Sequence, residues 1–214
     1  MKLGIDKVLV ISGLLSFIMI ISVDIFIAPY YPNYDYYSDV ISMLGAVDSP
    51  VALPTNITFF LFGAFMFLFG FGLYRNYAED GYGRAGAVIF IAAGAMLSMI
   101  GVFQCDAQCI DVTLTAEMHQ FFAEVPMIMT GVGLALLTIH EMRGKGFRGK
   151  GTNLFLYLFP LILVLAAFLT AVHIEFNLDR SLDGFYERLA IYVPMALMAF
   201  ASVYIFRDRL MKKS

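Results

Sequence analysis

"VLVISGLLSFIMIISVDIFI", Val8 to Ile27, contains a single charged residue, Asp24, in twenty positions. A helix needs about 20 apolar residues to cross a hydrocarbon core roughly 30 Å thick, and within lipid the backbone must satisfy its own hydrogen bonds. The run therefore reads as a membrane span. Lys2 and Lys7 precede it as they would a signal peptide, but it is too long for that, and "DIFIAPYYPNY" follows in place of a small-residue cleavage site.

Five more runs of the same character lie at Asn56 to Tyr74, Arg84 to Phe103, Glu117 to Ile139, Leu154 to His173 and Glu187 to Phe206. Of the 214 residues, 60% are hydrophobic and 14% charged, and the mean hydropathy is +0.79. That excludes an ordinary water-soluble domain, and the net charge of −3 gives no footprint for nucleic acid. The expected fold is all-α: a six-transmembrane-helix bundle forming one polytopic domain over 1–214, with membrane lipids as its surroundings. So little chain is left between spans that any activity must sit in or at the bilayer.

Basic residues in short loops favour the cytoplasmic side. Lys2, Lys7, Arg75, Arg84, Arg143, Lys145, Arg148, Lys150, Arg207, Arg209, Lys212 and Lys213 fall on one side when six spans alternate, and only Arg180 and Arg188 on the other. A cell-membrane protein with both termini cytoplasmic is expected, with Ala28 to Thr55, Gln104 to Ala116 and Ile174 to Tyr186 outside. Asp35, Asp39, Asp48, Asp106, Asp111, Asp179 and Asp183 then give the outer surface an acidic face.

The first outer connection holds "YYPNYDYYSDVISMLGAVDSP", Tyr30 to Pro50, with five tyrosines, three aspartates and no Lys or Arg. Tyrosine suits a membrane interface. Val40, Met43, Leu44 and Val47 recur at helical spacing, so "SDVISMLGAV" reads as a short amphipathic interfacial helix with Asp39 and Ser42 on its other face. Such a helix would form a lid. Cys105 and Cys109 in "QCDAQC" are expected to form a disulfide, the outer side being oxidising. Asn56-Ile57-Thr58 fits a glycan acceptor, but its place beside the membrane and after Pro54 favours Asn56 as the N-cap of the second span.

Ionisable groups within spans are costly and mark candidate chemistry. Asp24 lies about 24 Å along the first helix from Val8, near its outer end. His119 opens the fourth span, His173 closes the fifth, and Glu187 with Arg188 opens the sixth, all at one level. Asp39, Ser42 and Asp106 could reach them from the loops. Glu124 lies deeper in the fourth helix, about 140° round from His119. "HQFFAEVPM" and "ERLAIYVPM" each place a proline, Pro126 or Pro194, seven residues after His119 or Glu187. A proline that frees a carbonyl can bend its helix, so these two spans are expected to splay and open a pocket.

"ISMLGA" at Ile41 to Ala46, Asn56, "GVFQCD" at Gly101 to Asp106, His119, and "GFYERL" at Gly184 to Leu189 together resemble the six-span bacterial and archaeal membrane family catalogued as domain of unknown function 998. The resemblance covers essentially the whole chain and implies the architecture, with no settled activity. One departure stands out: the family pattern commonly carries an acid after Ile-Ser, where this chain has Met43. If that acid serves a site, either Asp39, one turn earlier, stands in for it or the activity is altered.

Four functions fit these residues. The first is a membrane-embedded hydrolase or lipid-modifying enzyme at the outer boundary, with His119, His173, Glu187, Asp39 and Ser42 catalytic and Arg188, Asp106, Asp24 and Glu124 binding substrate. A divalent metal such as zinc could sit on His119, His173 and Glu187. The second is a lipid or small-molecule carrier or receptor using Glu124. The third is a haem protein ligated by His119 and His173. The fourth is a homo-oligomer or non-catalytic subunit of a membrane complex, its glycines at 63, 70, 72, 86, 94, 131 and 133 permitting close helix contacts.

Overall fold

The computed structural model describes residues 2–77, 79, 81–110, 112–143 and 180–211, and every regular element among them is helical. Among the described residues, five long α-helices run α1 Lys2–Ser22, α2 Ala52–Tyr77, α3 Gly81–Met99, α4 Leu114–Arg143 and α5 Asp183–Met211. Four stretches are long and apolar enough to cross a membrane: Ile11–Tyr30, Ala52–Tyr77, Gly81–Met99 and Leu114–His140. The helix α5, 29 residues long, is not among those four. The run expected as the fifth span, Leu154 to His173, lies outside the described residues.

These helices are apolar on both sides. Phe59, Phe62, Met66 and Phe69 of α2 pack inward with Phe90 and Leu97 of α3, Ile20 of α1 and Met195 and Met198 of α5. The Phe69 and Phe90 rings meet edge to face at 5.5 Å. Meanwhile Ile57, Phe60, Phe67, Phe71, Val88 and Ile128 stay exposed, as suits a bundle whose solvent is hydrocarbon. Buried hydroxyls bond helix carbonyls: Ser98 to Gly94, Thr130 to Pro126, Thr138 to Leu134, Ser202 to Met198. Ser16 instead donates across the interface to the Phe62 carbonyl at 3.0 Å.

Contacts at the two ends fix the direction of each helix. At one end Val47 N–H donates to the Cys105 carbonyl and Phe185 N–H to the Tyr37 carbonyl. At the other, Tyr77 meets His140 with ring centroids 4.5 Å apart, and the Arg143 guanidinium lies over the Tyr82 ring. Thus α2 and α4 run from the tyrosine-rich end and α3 returns to it. Both Pro126 and Pro194 lie inside continuous helices.

Two local readings differ from expectation. Helix α2 begins at Ala52, so Asn56 is not its N-cap. Ser49 holds the start: its carbonyl accepts from Ala52 N–H and its hydroxyl from Val51 N–H at 3.2 Å. Pro54 is tolerated because first-turn N–H groups have no helical partner. The stretch expected as an amphipathic helix forms one 3-10 turn, Ile41–Gly45, with Ile41 and Leu44 buried and Val47 exposed. Val47 leaves the turn because its N–H is drawn to Cys105.

Close packing of α2 on α3 depends on Gly94, where a Cβ would lie 2.6 Å from the Phe67 Cα. Gly94→Ala is expected to cost about 1–3 kcal/mol in denaturant unfolding in micelles. Gly81→Ala, with nothing within 4 Å among the described residues, is expected to stay within about 0.5 kcal/mol of the parent.

Candidate functional site

Helix α1 ends through a π-turn, Val23–Ile27, and a 3-10 turn, Ala28–Tyr30, entered at Pro29, whose nitrogen has no hydrogen to continue the ladder. The π-turn carries Asp24 toward α5, where Gly184, Arg188 and Tyr192 recur every fourth residue on one face. Arg188 grips both carboxylate oxygens of Asp24, Nε to Oδ2 at 2.7 Å and Nη2 to Oδ1 at 3.0 Å. Nη2 also donates to the Tyr34 hydroxyl at 2.6 Å. Nη1 points at the carbonyls of Tyr36, Asp39 and Gly184, 2.8–2.9 Å away.

The guanidinium, in a residue only 9% exposed, is thus surrounded by acceptors. The Tyr34 and Tyr36 rings lie 5.5 and 5.3 Å from its carbon. Tyr192 donates to Asp24, and the Tyr36 hydroxyl to the Asp24 carbonyl at 3.1 Å. Tyr34 completes the knot by donating to the Val40 carbonyl at 3.0 Å, and burial pushes its phenol above the usual value. Gly184 is required here, since a Cβ would meet the Asp39 backbone and Arg188 Nη1 at 2.8 Å.

Glu187, the neighbour of Arg188, accepts from Ile41 N–H and from the Ser42 hydroxyl at 3.1 Å. It therefore caps the 3-10 turn from another helix. The Asp39 carboxylate turns to its own loop, accepting from Asp35 N–H at 2.9 Å and the Ser38 hydroxyl at 3.3 Å. Asp39 joins the Arg188 knot through its carbonyl alone.

A second knot joins α3 to α4. His119 is buried with Nδ1 2.6 Å from the Phe103 carbonyl, beside the stacked Phe103 and Phe122 rings. Asp106 accepts from Val112 N–H, Thr113 N–H and the Thr113 hydroxyl at 2.7–2.9 Å, and the two backbone donors hold its carboxyl below the ordinary value. Cys105 and Cys109 are joined as a disulfide.

The structure therefore brings together Asp24 with Arg188 and Glu187 with Ser42. It sets His119 and Asp106 on the α3–α4 connection and leaves Glu124 exposed on α4, bonded to Gln120 at 2.8 Å. His173 lies outside the described residues. Among the described residues no group of three or more His, Cys, Asp or Glu is placed to hold a metal. Asn56 is buried, its Nδ2 donating to the Gly45 carbonyl at 2.9 Å, so the glycan-acceptor reading has no accessible amide. Beside it, Leu53, Ile57, Phe60, Leu61, Gly101 and Gln104 line an open groove of about 450 Å³ between α2 and the end of α3.

Sequence reasoning missed Tyr34, Tyr36 and Tyr192 as partners of the ion pair. The four-residue spacing of Arg188 and Tyr192 was the available signal.

The family described as "Protein of unknown function (DUF998)" matches residues 11–204. The chain belongs to that family. No curated protein and no solved structure matches it. In this DUF998 chain the matched range takes in both knots, from Asp24 to Tyr192. Met43, at the position where the family resemblance leads one to expect an acid, is half-buried in the 3-10 turn beside Ser42.

Removing one partner of a buried ion pair strands the other. Asp24→Ala is expected to cost about 3–5 kcal/mol of unfolding free energy in micelles. The Asp106 contribution has its own pH signature. Because its folded value lies below the unfolded one, its stabilisation is full above the ordinary carboxylate range and is lost as pH falls through the folded value. Hydrogen exchange at Val112 and Thr113 should quicken over that acid range in the parent and be pH-insensitive there in Asp106→Asn, after correction for intrinsic exchange.

Proposed function

We propose that this chain is a six-span protein of the cell membrane, both termini cytoplasmic, that acts as a hydrolase or lipid-modifying enzyme at the outer boundary. The span count is supported by where the chain leaves and re-enters the described residues. Arg143 stands at the end opposite the tyrosines and Asp183 opens α5 at the tyrosine end, and the apolar run Leu154 to His173 between them has the length of one crossing. Charge bias supports the orientation.

The enzymatic reading rests on one contact, the Ser42 hydroxyl donating to the Glu187 carboxylate at 3.1 Å. A serine is a weak nucleophile until an adjacent base takes its proton. As Ser42 Oγ attacks an ester carbonyl, Glu187 receives the hydroxyl proton and returns it to the leaving alkoxide, and water then hydrolyses the acyl-serine. His119, expected as the base, sits on the α3–α4 connection against the Phe103 carbonyl, whereas the side chain that accepts from the Ser42 hydroxyl is Glu187, so Glu187 takes that role here. The 3-10 turn and Arg188 are positioning elements. A carrier or receptor reading is favoured by the apolar groove beside Asn56, which opens at the same end and could take a lipid chain.

A fluorophosphonate reagent offered to the vesicle-reconstituted protein separates the two. The enzymatic reading expects a covalent adduct on Ser42, abolished in Ser42→Ala and slowed about 10²- to 10⁴-fold in Glu187→Gln. No adduct on folded protein, with a soluble serine hydrolase labelled in parallel, overturns it and leaves the binding reading.

A further inference from the structure

The α3–α4 connection contains a small covalent ring, Cys105 to Cys109, whose halves differ in access. Cys105 is 1% exposed and Cys109 is half-buried. Gln108 and Cys109 are consecutive residues in the left-handed region, φ 56° and 51°, a conformation that side chains disfavour and that ring closure holds. The ring is fastened to the segment carrying Ser42. The Cys105 carbonyl accepts from Val47 N–H at 3.1 Å, and Gln108 N–H donates to the Asp48 carboxylate at 3.3 Å. The Cys105 sulfur lies 3.5 Å from the Ser42 carbonyl oxygen, within reach of a thiol hydrogen bond once that sulfur carries a proton.

We propose that Cys105–Cys109 is a reversible thiol–disulfide exchange site, entered at Cys109 by a thiol reductant of the outer compartment, whose redox state governs the Ser42 segment. The reductant thiolate attacks Cys109 Sγ and forms a mixed disulfide. The Cys105–Cys109 bond breaks, and the electron pair goes to Cys105 sulfur, which takes a proton from water and, as a thiol, hydrogen-bonds to the Ser42 carbonyl. A second reductant thiol attacks the mixed disulfide, releasing the Cys109 thiol and the oxidised reductant, so two thiols are oxidised for one disulfide reduced. Opening the ring frees Gln108 and Cys109 to leave the left-handed region, and with them the anchors on Asp48 and Val47 loosen. Ser42 then loses the support that holds it to Glu187. The exchange deepens the Ser42–Glu187 reading by giving that site a regulator, but its readouts stand whether or not Ser42 reacts.

The test uses the full chain in vesicles. Brief exposure to 2-mercaptoethanol followed by acid quench should place the reagent's mass on Cys109 and not Cys105. Reduction with dithiothreitol should proceed without denaturant and quicken hydrogen exchange at Met43, Ala46 and Val47 about tenfold, leaving Phe185 unchanged. The double variant Cys105→Ser, Cys109→Ala, which keeps a donor for the Ser42 carbonyl, should reproduce the reduced exchange pattern. An adduct on Cys105, reduction only in denaturant, or unchanged exchange across 43–47 after reduction would each overturn the proposal.

Discussion

A guanidinium taken out of water must find acceptors for its five N–H groups, and Arg188 finds them in the π-turn after α1, in α5 and in the loop before α2 at once. Asp24 neutralises the charge, Tyr34 adds a phenol oxygen, and three carbonyls complete the shell. Because two of those carbonyls belong to Tyr36 and Asp39, the loop is bound to the last helix by its own backbone. Sequence changes on the loop surface would leave those acceptors in place. Glu187 extends the same clamp to the amide of Ile41 and the hydroxyl of Ser42.

This constraint changes the picture of the tyrosine-rich segment from a lid to a fixed cap. A lid that opens by rigid movement would break the hydrogen bonds of a buried cation, and each one lost leaves a desolvated donor. Ser42 is therefore presented in one place, on a 3-10 turn held at its start by Glu187 and at its far side by the Cys105 connection. Preorganisation of that kind serves a reacting group as well as a binding surface.

Four of the six expected spans, Ile11–Tyr30, Ala52–Tyr77, Gly81–Met99 and Leu114–His140, were legible because apolar runs of that length need no partner to be recognised. Helix ends were less so: α2 starts at Ala52 because Ser49, outside the apolar run, holds its first turn. Asp24, Arg188 and Glu187 were also legible, since ionisable groups near a bilayer are costly and stand out. Their partners were not. Asp39 contributes a carbonyl where its carboxylate was expected, and His119 meets a backbone oxygen of Phe103; side-chain identity carries no information about backbone acceptors. Tyr34 and Tyr36, read as interfacial residues, bring their rings to Arg188, with the Tyr34 hydroxyl on the guanidinium and the Tyr36 hydroxyl on the Asp24 carbonyl, long-range contacts that no spacing rule within the loop encodes. The proline pair in α4 and α5 was legible too, and Pro126 and Pro194 both lie inside helices that continue past them.

The most direct measure of the clamp is amide hydrogen exchange at Ile41 and Phe185, whose N–H groups join the loop to Glu187 and to the start of α5. In the membrane-reconstituted protein both should exchange as slowly as the interior amides of α2, and Arg188→Ala should release both together. Fast, loop-like exchange at Ile41 and Phe185 in the parent protein would contradict it.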